Sequence, residues 1–132
     1  LHVKGTISGS AFGPILSTTI SGSLINSSGD VVAFQSSDKK LKDNVNVILK
    51  PIEKVKQISG YEFDWNNKQD IYQGHDFGVI AQEVEKVMPE LVRTNSNGFK
   101  GVKYEKIVPL LIESIKEQQK QIDELKKKLE EL

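Results

Sequence analysis

The chain has 132 residues with 18 basic and 18 acidic side chains, and its zero net charge argues against a general nucleic-acid binder. It has no cysteine and only two histidines, His2 and His75, which argues against a disulfide framework, a thiolate metal site or a histidine-built metal cluster. There is no signal peptide and no apolar run near the ~20 residues of a membrane span, and a start on Leu1 rather than Met suggests a piece of a longer protein.

Charge is distributed unevenly. Residues 1–36 contain two charged side chains, Lys4 and Asp30; all the others lie in 37–132. The first region alternates Ser, Thr and Gly with Ile7, Ile15, Leu16, Ile20, Leu24, Ile25, Val31 and Val32, and TISGS occurs at both 6–10 and 19–23. Period-two alternation broken by Gly13-Pro14 and Ser28-Gly29-Asp30 predicts short strands and turns. So few large apolar residues cannot build a separate core, so the region reads as disordered or as repetitive β-structure shared between chains, and the regular recurrence favours the shared structure. Asn26-Ser27-Ser28 matches a glycosylation acceptor, read as chance in the absence of a secretory signal.

The composition changes at SSDKKLKDN, residues 36–44. Two readings of that stretch stand side by side. Ser37 or Asp38 caps a short helix and the lysines face water, or a serine hydroxyl and a lysine amine form a nucleophile with its base.

Beyond it, ILKPIEKVKQI predicts a short helix over roughly 48–58, with Pro51 in its first turn. GYEFDW at 60–65 places Tyr61, Phe63 and Trp65 on one face of a half-buried strand. A strand face of aromatics is more often core than a stacking platform for a base or sugar. His75-Asp76 follows Gly74; a triad with Ser37 is conceivable, but such a histidine reads more simply as a surface or hairpin residue. VIAQEVEKVMPELV predicts a helix from about 81 to 88 that stops before Pro89. Asn97-Gly98 between two strand-like runs in 93–104 predicts a hairpin with a type I′ turn.

From Val108 a heptad runs to the end. Its a positions are Val108, Ile115, Ile122 and Leu129, and its d positions Leu111, Gln118, Leu125 and Leu132, with charged residues at b, c and f. Sustained a/d apolarity with a charged outer face predicts a coiled coil, and mixed Ile and Leu there permits a dimer or a trimer. Gln118 is a polar interruption of the kind that fixes register. Pro109 lies in the first turn, where its missing N–H costs little. Segment 37–107 is small for an independent core, so association through the coiled coil is expected to supply the missing burial. The fold class is therefore α+β: a short β-stalk segment, a small mixed α/β part with a hairpin, and a long C-terminal helix.

In this order, SDKKLKDN at 37–44, GYEFDW at 60–65, DFGVIAQEVEKVMPELV at 76–92 and GFKGVKYEKIVPLLIESIKEQQKQI at 98–122 resemble one family. It is the endosialidase-type C-terminal intramolecular chaperone domain of phage tail spikes and fibres, the self-cleaving peptidase S74 family. The chain departs from the family pattern at Lys40, where arginine is usual. Residues 1–36 resemble the end of a spike or fibre by position and composition alone.

The resemblance implies a parallel homotrimer and a division into a β-rich stalk end (1–36), a self-cleaving chaperone domain (37–107) and a coiled-coil helix (108–132). It implies Ser37 as nucleophile and Lys42 as base, with the Ser36–Ser37 bond cut in cis, a single turnover per chain. No cofactor or metal is expected. The expected partners are two further copies of the chain and the upstream stalk of the same polypeptide, with no nucleic acid and no membrane. Assembly would take place in the host cytoplasm, leaving the stalk in the virion tail and the chaperone part released. A permanent trimerisation module with an inert serine, or a receptor-binding fibre tip, are the competing readings.

The chemistry explains the residue types. A hydroxyl needs a base, and lysine serves only when neutral, whereas its unperturbed pKa is about 10.4. Bringing a lysine to roughly 7–8 takes burial or neighbouring cations worth about 4 kcal/mol. Lys39 and Lys40 supply like charge, and Asp38, which opposes it, is expected to point away. Desolvation on assembly is therefore expected to switch the pair on.

Overall fold

A computed structural model describes residues 24–132. The described residues divide into two units between Lys42 and Asp43.

In the first unit the repeated TISGS segments lie outside the described residues. Residues 24–36 form no strand in the single chain and are exposed throughout. A strand needs a partner for its backbone groups, and none of these residues has a backbone–backbone hydrogen bond among the described residues. The expected turn at 28–30 does form: Ser27 Oγ accepts from Gly29 N–H at 3.2 Å and donates to the Gly29 carbonyl at 3.0 Å. One 3₁₀ turn follows at Lys39–Leu41.

The second unit is mixed α+β with two small antiparallel hairpins and a long C-terminal helix. Helix α1 spans Pro51–Val55, shorter than expected because Lys50, in the left-handed region at φ 50, turns the chain immediately before Pro51. Strands β1 (Tyr61–Asp64) and β2 (His75–Gly78) pair from Tyr61↔Gly78 to Asp64↔His75. Helix α2 (Ala81–Val87) ends before Pro89, where the chain tightens into a 3₁₀ turn over Pro89–Leu91. Strands β3 (Val92–Thr94) and β4 (Lys100–Val102) form the second hairpin.

The turn of that second hairpin corrects the expectation. Gly98 has φ 84, but Asn97 is not left-handed, so the turn is not type I′. Gly98 N–H donates to the Asn95 carbonyl at 2.9 Å and Asn95 N–H to the Phe99 carbonyl at 2.8 Å. This is a three-residue loop whose last residue is left-handed, and Asn97 Oδ1 secures it by accepting from Phe99 N–H at 3.0 Å.

Helix α3 (Ile107–Glu130) has two different faces. Leu110 and Ser114 are buried, and α1 packs against this helix. The Ser114 hydroxyl is satisfied by the Leu110 carbonyl at 2.8 Å. The heptad positions Val108, Leu111, Ile115, Ile122, Leu125 and Leu129 are exposed, and every residue from Gln118 onward is exposed. The buried apolar residues among those described are Val84, Leu91 and Leu110. A core of that size is marginal for a unit this long.

Candidate functional site

The site is built on one turn. Asp38 has extended backbone and its carboxylate accepts from the Lys40 N–H at 2.8 Å, capping the 3₁₀ turn. Leu41 N–H donates to the Asp38 carbonyl at 3.0 Å and Lys42 N–H to the Lys39 carbonyl at 3.1 Å. The turn brings its two flanking residues together: Lys42 Nζ donates to Ser37 Oγ at 2.7 Å. A five-residue spacing suits a nucleophile–base pair here because one tight turn lies between them.

The two readings of SSDKKLKDN are compatible with one geometry. Asp38 does cap a short helical turn, and that same cap sets the spacing of Ser37 and Lys42. Sequence reasoning treated Asp38 only as an opposing charge or as the cap of an inert turn. The available signal was a carboxylate two residues before an unpaired N–H. Asp38 makes no ion pair among the described residues, since its carboxylate is engaged by the backbone. Ser36, Ser37 and Lys42 are all exposed in the single chain.

His75 belongs to another cluster. Its Nδ1 lies 3.0 Å from Asp64 Oδ1 and its Nε2 3.2 Å from Glu62 Oε1, so its own hairpin occupies both ring nitrogens. The neighbouring Asp76 does not orient that ring. Its carboxylate accepts from Phe77 N–H at 2.8 Å and Trp65 Nε1–H at 3.0 Å, and these bonds hold its pKa below the usual value. The geometry gives a Ser37–His75–Asp76 triad no support. The aromatic face of β1 packs on itself: Phe63 meets Trp65 edge-on at 5.0 Å, and Tyr72 stacks on Trp65 at 4.7 Å. Among the described residues no group of three or more His, Cys, Asp or Glu could hold a metal ion, and no helix is long and apolar enough to cross a membrane.

Residues 37–93 match the family model described as chaperone of endosialidase, peptidase S74, and the match begins at Ser37. The chain is 36% identical over 104 residues to the long tail fiber protein Gp37 of Salmonella phage S16, covering 74% of this chain and 14% of that protein. It is 29% identical over 134 residues to the myelin gene regulatory factor-like A protein of Dictyostelium discoideum, covering 88% of this chain and 14% of that protein. The chain thus spans about one seventh of the length of these curated relatives. The phage fibre protein shares sequence well beyond chance, and the family model covers the capped turn, the first hairpin and α2 together. Through residues 37–93 the chain belongs to the chaperone of endosialidase family, peptidase S74.

Proposed function

We propose that this chain is the C-terminal chaperone of a phage tail fibre or spike, which trimerises, registers the stalk upstream of it, and then cuts itself free between Ser36 and Ser37. The observation that carries the reading is the 2.7 Å contact between Lys42 Nζ and Ser37 Oγ at the first residue of the family match. The fibre protein of phage S16 supports the biological setting.

Ser37 lies just downstream of the bond, so its Oγ attacks the Ser36 carbonyl carbon while its proton passes to Lys42 Nζ. The new C–O bond forms, the C–N bond breaks, and Lys42 delivers the proton to the departing Ser37 nitrogen. The product is an ester between Ser36 and Ser37 Oγ. Water then hydrolyses it, leaving a Ser36 carboxylate and a restored Ser37 hydroxyl. For the first step the proton on the 2.7 Å contact must run from Oγ to a neutral amine, opposite to the donation seen in the single chain. Burying the pair on assembly favours that neutral form, because desolvation penalises an ammonium.

The trimer reading draws on the exposed heptad face of α3, which has nothing to pack against in one chain. A shared β-stalk folds slowly, since its chains must align before any contact is rewarded. A coiled coil at its end holds three copies at about millimolar effective concentration. Once the stalk has closed, removing the coiled coil removes the easiest route to unzipping, and the stalk persists kinetically.

Ser37→Ala tests the assignment. Intact mass should show residues 37–132 released from the parent chain and an uncut Ser37→Ala chain of unchanged assembly state. Cleavage of Ser37→Ala at the parental rate would remove Ser37 as nucleophile. A parent chain that stays whole after assembly would instead favour a permanent trimerisation module.

A further inference from the structure

The segment Val45–Leu49 has no structural employment in the single chain. It forms neither helix nor strand, and none of its backbone N–H or C=O groups has a hydrogen-bond partner among the described residues. Val45, Val47 and Leu49 are 69%, 66% and 72% exposed, Asn46 is exposed, and Ile48 alone is half-buried. A row of exposed apolar side chains on an unpaired backbone is what an edge offers to a pairing neighbour.

Both ends of the segment are set by strained residues. Asn44 and Lys50 have φ 53 and φ 50, the left-handed region where a Cβ crowds the following carbonyl oxygen. Asn tolerates that conformation; Lys does not, and Lys50 also precedes Pro51, which restricts it further. The Lys50 side chain makes no hydrogen bond or ion pair among the described residues that would offset the strain. Strain of this kind persists where a conformation serves something beyond the local fold.

We propose that Val45–Leu49 is a docking strand and that its occupant is Val31–Gln35 of a second copy of this chain. The inference rests on the trimer of the reading above. In a three-fold assembly a segment cannot pair reciprocally with its own copy, because that contact needs a two-fold axis. Each strand must meet a different segment of its neighbour, and three such contacts close a ring. Val31–Gln35 has the matching chemistry: no charge, Val31, Val32 and Phe34 exposed, and a backbone likewise unpaired among the described residues. Its unpaired N–H and C=O groups can take up those of Val45–Leu49, as in β-strand addition. Because Val31–Gln35 runs directly into Ser36–Ser37, docking draws the chain straight up to the bond to be cut. It makes the neighbour part of substrate presentation.

Hydrogen exchange on the full-length Ser37→Ala chain tests this, with assembly followed in parallel by analytical ultracentrifugation. In the trimer, alternate amides of 31–35 and 45–49 should exchange at least about 100-fold more slowly than after dilution below the assembly concentration. Val47→Pro, which removes one donor from the ladder, should strip protection from 31–35 as well, whereas Val47→Thr should keep it. Fast exchange in both segments of a trimer would overturn the docking strand and leave the trimer standing. Protection that survives dilution would overturn the second copy as occupant in favour of pairing within one chain. A chain that stays monomeric overturns both the trimer and this inference. Cleavage of the parent chain is read separately by mass, so its failure is distinct from either result.

Discussion

Lys42→Arg separates a base from a mere neighbour. Arginine keeps the positive charge and can still donate to Ser37 Oγ across the capped turn, where Lys42 Nζ now sits at 2.7 Å. It cannot give up its proton near neutral pH, so it cannot accept the hydroxyl proton. Both Ser37 and Lys42 are exposed, and the turn is held by backbone bonds and Asp38, so stability should change by no more than about 0.5 kcal/mol. Removing general-base assistance costs about 100-fold to 10,000-fold in rate. The assay is a time course of intact mass after refolding, read as the fraction of residues 37–132 released, with thermal unfolding as the control for fold. Cleavage by Lys42→Arg within about threefold of the parent rate would refute the base assignment, whatever becomes of Ser37.

Leu110→Ala empties a fully buried position on α3 and should cost about 2–5 kcal/mol in urea unfolding. Lys50→Gly relieves left-handed strain and should stabilise the single chain by about 1 kcal/mol, measured by the urea midpoint. The pKa of Asp76 is lowered by its bonds to Phe77 N–H and Trp65, so the stability it contributes is complete above 3.8 and is lost as pH falls through its lower folded value. Acid titration of the single tryptophan's emission should show that step, and Asp76→Asn should abolish it. Gln118→Ile at a d position should raise the melting temperature of the trimer, because a buried polar layer is replaced by an apolar one. An unchanged or lower melting temperature would place Gln118 outside the seam.

Elements fixed by local chemistry were legible in the sequence. Pro51 and Pro89 mark a helix start and a helix stop where the chain places them. The GYEFDW alternation gives β1, but its face is only half-buried at Phe63 and Trp65, which meet edge-on, and Tyr61 is exposed. What escaped depends on contacts distant in sequence. HDFG carries no strand signal of its own, because His, Asp and Gly are weak strand formers, yet it becomes β2 through pairing with β1, which makes His75 the hairpin residue expected of it. Its Gly78 lies against Tyr104, from which an added Cβ would stand only 2.6 Å, and Tyr104 Oη accepts from Val79 N–H at 3.2 Å. No local pattern reveals that approach across more than twenty residues. The second hairpin was legible in place but not in turn type, since Asn97-Gly98 supports either geometry and the three-residue loop was settled by the Asn95–Phe99 pairing. At the site, the family resemblance singles out Ser37 and Lys42, and the structure brings those two side chains into contact. The role of Asp38 in spacing them required the hydrogen bond to be seen.

On the proposed reading, the exposure of the single chain would supply the timing that a self-cutting chaperone requires. A pair that was active as soon as its turn formed would sever the stalk before three chains had met. Here the turn needs only Asp38 and local backbone bonds, so Ser37 and Lys42 are juxtaposed from the start while remaining exposed to water. The missing ingredient is exclusion of water, and the uncovered surfaces point to assembly as its source. The heptad face of α3, Val45–Leu49 and Val31–Phe34 all lack a cover in one chain. Covering them would be favourable at roughly 25 cal/mol per Å² of apolar surface, so on that reading association would both stabilise a marginal core and desolvate Ser37 and Lys42. On the proposed reading, one turn provides the geometry and the neighbours the activation, and that separation would let the cut report on completed assembly.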